Sequence, residues 1–146
     1  MGIDVTAEAR IERPTEDAAG YAMDPAHDTA WIGGIKLVGM LTEPPVRVGT
    51  QVERVAYFMG RRIEYVLEVV GLDTRRRLEM ASLKAPFPMR VTYGFQPDGE
   101  ATIASIRVQG GPGGIMGLFS PLMAMSVRRN ISGDLRRLKG VMEGRG

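Results

Sequence analysis

The fold is decided by residues 100–142, which read EATIASIRVQGGPGGIMGLFSPLMAMSVRRNISGDLRRLKGVM. The first part, Glu100 to Gln109, is predicted to be the last strand of a sheet, and the glycine-rich run 110–114 ends it. After the glycines, apolar residues recur at spacings of three or four, with arginines on the other side. The sequence therefore predicts a long C-terminal helix over about residues 115–143. Its apolar positions are Val127, Ile131, Leu135, Leu138 and Met142.

The beginning of that helix differs from its end, because residues 116–125 are apolar nearly all round. Such a segment must be covered on most sides or line a cavity. The ten methionines of the chain favour the second interpretation, because flexible, unbranched side chains suit a deformable cavity. A plain methionine-rich core is the alternative.

Short strands separated by short turns precede the last strand. We predict them over residues 35–42, 50–59, 62–70, 75–84 and 89–95, with turns at Leu72-Asp73-Thr74 and Pro97-Asp98-Gly99. Parallel crossovers need a dozen or more residues, so these strands form an antiparallel meander. With a first strand near the N-terminus, the sheet has seven strands.

The N-terminal part contributes one strand and two short helices. Apolar and polar residues alternate from Ile3 to Arg13, as in a strand with one buried face. Pro14 ends this strand. One short helix is predicted over residues 15–22, and a second begins at Asp24-Pro25 and stops at Gly33-Gly34.

This order of elements resembles the helix-grip fold of the START-like (SRPBCC) superfamily, and within it the polyketide cyclase/dehydrase and lipid-transport group. The resemblance covers the whole chain. It is carried by residues 14–31, 48–50, 86–88, the glycines 110–114 and the segment 118–123. It implies an α+β fold in which a curved seven-stranded antiparallel sheet wraps around the long C-terminal helix. The whole of 1–146 is then one START-like ligand-binding domain, with a hydrophobic cavity between sheet and helix.

Composition excludes several kinds of site. The chain has no cysteine and one histidine, so thiolate chemistry, disulfides and sites with two imidazoles are excluded. No clustered carboxylate motif predicts a metal, and we expect no cofactor. No apolar run reaches the roughly 20 residues that span a bilayer, and the N-terminus lacks a secretory signal. We therefore expect a cytoplasmic protein.

Candidate ligand-binding residues come from the predicted inner faces. Buried tyrosines need a partner for the hydroxyl group, and a ligand oxygen can serve. The bland alternative is that each hydroxyl reaches the backbone, water or the surface. The predicted ligand-binding residues are Trp31, Tyr57, Tyr65, Met89, Val91, Tyr93, Phe95, Met116, Phe119 and Met123.

Charged and titratable residues offer fewer candidates. His27 is interpreted as a surface residue, and Asp24 and Asp28 as capping, solvated residues. The paired arginines occupy turns and the polar side of the last helix, so we predict no nucleic-acid partner. Transient contact with an anionic membrane surface stays open. The oligomeric state is open between monomer and homodimer.

Three functions remain. The first is binding or carriage of an apolar small molecule, such as a lipid, isoprenoid or polyketide-like compound. The second is a cyclase or dehydratase that uses tyrosine hydroxyls, with Arg54 or His27, to polarise a carbonyl group. The third is a protein-interaction module. Two or more ionisable groups converging inside the cavity distinguish the second from the first.

Overall fold

The computed structural model describes residues 3–58, 60–73, 76–84, 88–110 and 121–144. Its strands are β1 (Ile3–Ile11), β2 (Ile35–Met40), β3 (Gln51–Phe58), β4 (Arg61–Asp73), β5 (Arg77–Lys84), β6 (Met89–Asp98) and β7 (Ala101–Gly110). Its helices are α1 (Thr15–Ala22), a 3₁₀ turn (Pro25–His27), α2 (Asp28–Trp31) and α3 (Pro121–Met142).

All seven strands form one antiparallel sheet in the order β1-β7-β6-β5-β4-β3-β2. Strands β2 to β7 are a meander, in which each strand pairs with its neighbour in sequence. The first strand pairs with the last, so that Ile3 lies opposite Gly110 and Ile11 opposite Thr102. The curled sheet, the long C-terminal helix and the short helices after β1 confirm the predicted helix-grip fold.

Two predicted turns were wrong in their bounds, and in the second of them Pro97 and Asp98 belong to β6. Leu72 and Asp73 were expected in a turn, but they belong to β4 and pair with Leu78 and Arg77. The register between β4 and β5 shifts near Gly71, and such a bulge lets a strand bend without ending. The predicted start of the last helix near residue 115 and the glycine run 111–114 lie outside the described residues.

The inner face of the sheet is set by the alternation of each strand. Residues directly opposite each other in paired strands share a face. Through the pairs Arg54–Tyr65, Leu78–Tyr93 and Tyr93–Ile106, one continuous inner surface runs from β3 to β7. Its largest fully buried side chains include Ile11, Leu67, Val69 and Phe95.

The helix α3 packs against this inner surface and along β1. Four residues of the predicted apolar stripe are buried, Ile131, Leu135, Leu138 and Met142, and Val127 is half-buried. Its polar side also binds the free edge of β1: Lys139 Nζ donates to Arg10 O (2.6 Å), and Arg128 Nη1 donates to Thr6 O (3.1 Å). No helix among the described residues is both long enough and apolar enough to cross a bilayer.

Candidate functional site

A buried ion pair lies between the sheet and the short helices. Strand β3 directs Arg54 to the inner face, and Asp28 is the first residue of α2. Arg54 Nε and Nη2 both donate to Asp28 Oδ2, at 3.0 and 2.8 Å. Arg54 is 5% exposed and Asp28 is 1% exposed. This pair connects α2 to strand β3 of the sheet.

Tyr93 extends the pair towards the centre of the inner face. Arg54 Nη2 donates to the Tyr93 hydroxyl oxygen at 3.2 Å. Burial raises the pKa of Tyr93 above its ordinary range, against the opposing effect of Arg54. The phenol is therefore neutral. Its oxygen accepts from Arg54, and its own proton has no hydrogen-bond acceptor among the described residues.

Trp31 supplies the other side of this polar centre. It is 1% exposed, and its ring meets the Tyr93 ring edge-on, with centroids 5.5 Å apart. Trp31 Nε1 is the one buried side-chain nitrogen or oxygen in the described part of the chain that has no hydrogen-bond partner. A buried donor without an acceptor is unusual in a folded protein.

The electrostatics of the pair follow from its burial. Burial raises the pKa of Asp28, while the guanidinium of Arg54 lowers it in part. Burial alone disfavours the charge of Arg54, but Tyr93 and Asp28 outweigh it and raise its pKa well above the ordinary value. Arg54 therefore carries a permanent positive charge that Asp28 neutralises.

A second pair, on α3, holds the end of α2 in place. Asp134 Oδ1 accepts from Gly33 N at 2.9 Å and from Arg137 Nη2 at 2.5 Å. Arg137 Nε donates to Trp31 O at 3.0 Å. A Cβ added at Gly33 would collide with the Arg137 guanidinium, which would then have to shift away from Trp31 O. We call Asp134 and Arg137 the α3 clamp.

The structure brings most of the predicted ligand-binding residues together. Tyr65, Met89, Val91, Tyr93 and Phe95 lie on the inner face, where they pack in or against the core cluster that also contains Trp31. Met116 and Phe119 lie outside the described residues. Met123 lies in α3, but its side chain is outside the described part.

Tyr57 is a correction. It was predicted on the inner face, but it is 47% exposed. Tyr57 lies three positions from Arg54 in β3, so the two side chains point to opposite faces of the sheet. Its partner in β4 is Arg62, whose guanidinium hydrogen-bonds to the Tyr57 side chain. Tyr57 therefore lies on the outer face of the sheet.

Asp28 is a second correction, because it is buried and ion-paired rather than solvated. Asp134 and Arg137 were not recognised as functional positions. The signal that could have identified the site is in β3, where Arg54 stands between two inward apolar positions, Val52 and Ala56. A charge at such a position requires a buried partner.

His27 lies beside the site but is not part of its hydrogen-bonded centre. Its ring stacks on Tyr21, with centroids 4.0 Å apart, and Nδ1 lies 2.9 Å from Tyr21 O. It is half-buried. Among the described residues, no group of three His, Asp or Glu side chains could hold a metal ion.

One pocket lies away from this centre. It is an open hollow of about 480 Å³ lined by Glu12, Arg13, Val141, Met142, Glu143 and Gly144. Polar groups in it bind one another: Arg13 Nη1 donates to Met142 O, and Glu12 N donates to Glu143 Oε2. The polar groups of this hollow are therefore largely paired with one another.

Comparison with known families gives one match. The sequence pattern of the family described as polyketide cyclase / dehydrase and lipid transport matches residues 2–143. No curated protein matches the chain.

Solved structures of similar fold are numerous. A START superfamily protein from Mycobacterium smegmatis superposes with a TM-score of 0.83 at 12% identity, over 98% of this chain and 99% of that one. The Zhui aromatase/cyclase from Streptomyces sp. R1128 superposes with a TM-score of 0.80 at 19% identity, over 99% and 96%. The major latex-like protein 151 from Panax ginseng gives 0.79 at 11% identity, over 97% of both chains. At these identities the likeness shows the fold.

Proposed function

Because the chain belongs to the polyketide cyclase/dehydrase and lipid transport family, we propose that it binds an apolar small molecule against the inner face of its sheet. The ligand lies along the apolar strands β6 and β7, and its one polar group reaches Trp31 and Tyr93. In this proposal residues 1–146 act as a single ligand-binding domain.

The observation that carries the proposal is the unpartnered N–H of Trp31. Leaving a buried donor unsatisfied costs about 1–3 kcal/mol. An acceptor oxygen on a ligand removes that cost. It also gives the free proton of the Tyr93 hydroxyl a partner, so two donors address one ligand group.

The surroundings of these donors are apolar. Several inner-face side chains pack against the core while staying partly exposed: Ile3, Tyr65, Met89, Val91 and Val108. Ala124 and Val127 of α3 also pack against the core and stay partly exposed. Partly exposed apolar side chains around two buried donors suit a ligand that is mostly hydrocarbon.

A second candidate function is a cyclase or dehydratase reaction on a bound ketone. It is favoured by the convergence of three ionisable groups, Asp28, Arg54 and Tyr93, inside the fold. Arg54 and Tyr93 can polarise a carbonyl oxygen. Asp28, however, is engaged with Arg54, and the described residues offer no other carboxylate bonded to this centre to serve as a base. Binding is therefore the better supported function.

The test is a titration of the single tryptophan's fluorescence with a panel of apolar carbonyl compounds, alongside native mass spectrometry of the purified protein. We expect saturable binding of one molecule per chain. Tyr93→Phe should weaken binding about 5- to 10-fold, as expected for one lost hydrogen bond. Tyr57→Phe, on the outer face, is the matched control and should bind like wild type.

A saturable signal that Tyr93→Phe leaves unchanged would place the ligand elsewhere. Absence of any binding or co-purifying molecule would overturn the proposal in favour of a protein-interaction module. The catalytic candidate is tested in the same samples, by incubating a β-hydroxyketone and monitoring the enone absorbance that forms when water is lost.

A further inference from the structure

The charges around the candidate site are balanced. Two guanidinium groups, Arg54 and Arg137, face two carboxylates, Asp28 and Asp134. Asp28 neutralises Arg54 through two hydrogen bonds, and Asp134 pairs with Arg137. Asp134 also lies near enough to Arg54 to interact with its charge. The cluster therefore has no surplus positive charge to offer a ligand.

The two donors to which the proposed function assigns the ligand's polar group are uncharged. Trp31 Nε1 is a neutral indole N–H without a partner, and Tyr93 is a buried phenol held in its neutral form. A neutral acceptor oxygen satisfies both donors and leaves every charge in the cluster paired. A carboxylate would enter as an extra buried negative charge, which is costly without a counterion.

We propose that the site selects a ligand whose polar group is an uncharged carbonyl, as in a ketone, quinone or ester, and discriminates against a carboxylate. The inference rests on the proposed function and specifies the ligand class of that same site. Arg54 is not an available counterion, because turning towards a ligand carboxylate would strand the buried Asp28.

The test compares two probes with the same undecyl chain, 2-tridecanone and dodecanoate, by tryptophan fluorescence and calorimetry. We expect the ketone to bind wild type at least about tenfold more tightly. A ketone is also more apolar than a carboxylate, so the ratio of the two affinities must be compared between wild type and a variant.

The deciding variant is Asp28→Asn, which releases the charge of Arg54 without changing the size of the side chain. We expect the affinity ratio to shift towards dodecanoate by about tenfold or more, and dodecanoate to raise the melting temperature of the variant. Asp24→Asn is the matched control. Asp24 is exposed and caps the 3₁₀ turn through Ala26 N, so this change should leave the ratio unaltered.

The outcomes separate the two proposals. If neither probe binds wild type, the proposed function fails and this inference fails with it. If both probes bind but the ratio is equal in wild type and Asp28→Asn, only the inference is overturned. Should Asp28→Asn not fold, Asp134→Asn takes its place, with a shift expected in the same direction; an unchanged ratio in that variant overturns the inference.

Discussion

Arg54 and Asp28 meet through a single oxygen: Nε and Nη2 of the arginine both donate to Asp28 Oδ2, at 3.0 and 2.8 Å. The two residues are 26 positions apart in sequence, one on the sheet and one on a four-residue helix. So short a helix has little stability of its own. Its position therefore depends on this pair from one side and on the α3 clamp from the other.

Removing one partner of the Arg54–Asp28 ion pair should destabilise the protein more than replacing both partners with apolar residues. Arg54→Met leaves an unpaired buried carboxylate, and we expect a loss of about 3–5 kcal/mol in the free energy of unfolding. The double variant Arg54→Met/Asp28→Leu should recover most of that loss, because no buried charge remains. Urea denaturation measures both. Equal losses in the single and double variants would show that the ion pair itself is needed.

Removing the clamp should loosen Trp31. Arg137→Ala deletes the hydrogen bonds to Trp31 O and Asp134, and we expect a loss of about 1–2 kcal/mol. The near-ultraviolet circular dichroism of the single tryptophan should weaken as well. Arg136→Ala is the control, since Arg136 is exposed on the same helix. An unchanged tryptophan signal in Arg137→Ala would contradict the role of the clamp.

Two glycines should respond oppositely to alanine. Gly34 has a φ of 91°, and an added Cβ would lie 2.7 Å from Tyr57 O, so Gly34→Ala should cost about 1–3 kcal/mol. Gly20 lies inside α1, and an added Cβ there meets nothing within 4 Å. Gly20→Ala should therefore stabilise the protein by roughly 0.5–1 kcal/mol. Thermal unfolding of the two variants measures both changes in stability. If Gly34→Ala is as stable as wild type, the backbone of the α2–β2 corner can adjust to a side chain.

Stability should depend on pH through the two buried carboxyls. Burial raises the pKa of Asp28 and of Asp134 above the ordinary value of 3.8. The folded state then binds protons more tightly than the unfolded chain, so these groups favour folding at low pH, and that contribution is lost as the pH rises through their folded pKa values.

The measurement for this prediction is the free energy of unfolding of wild type and Asp134→Asn between about pH 7 and pH 4. The free energy of unfolding of the variant, minus that of wild type, should decrease as the pH falls. Taking the difference removes the opposite contribution of carboxyls such as Asp4, whose pKa Arg107 lowers. A difference that stays constant with pH would contradict the assignment of the raised pKa to Asp134.

The fold was predictable because the sequence patterns that specify its strands and helices are local. Alternation in residues 3–11 and the three-and-four spacing of Leu135 and Leu138 each specify an element and its buried face. The turn predicted at Leu72 and Asp73 failed because a bulge depends on the partner strand. That dependence cannot be seen in one segment.

The polar part of the site was less predictable, for a related reason. Asp28 looks like an ordinary cap at the start of a short helix, and only the return of β3 brings Arg54 to it. Tyr57 and Tyr65 look alike in sequence. Because Tyr57 is an odd number of positions from the inward-facing Arg54, it lies on the outer face of the sheet. The inward-facing apolar residues can be predicted from their periodicity along a strand. A buried ion pair cannot, because it forms only when distant segments meet in the folded protein.

The pairing of β1 with β7 also constrains when the sheet can form during synthesis of the chain. Ile3 and Gly110 are partners, so β1 waits without this partner strand until β7 has been translated. At about 5–20 residues per second, that interval lasts several seconds. The α3 clamp is translated later still, so Trp31 is fixed in place only after Arg137 has been made. During this interval the nascent chain exposes apolar strand residues such as Val5, which are buried in the folded protein.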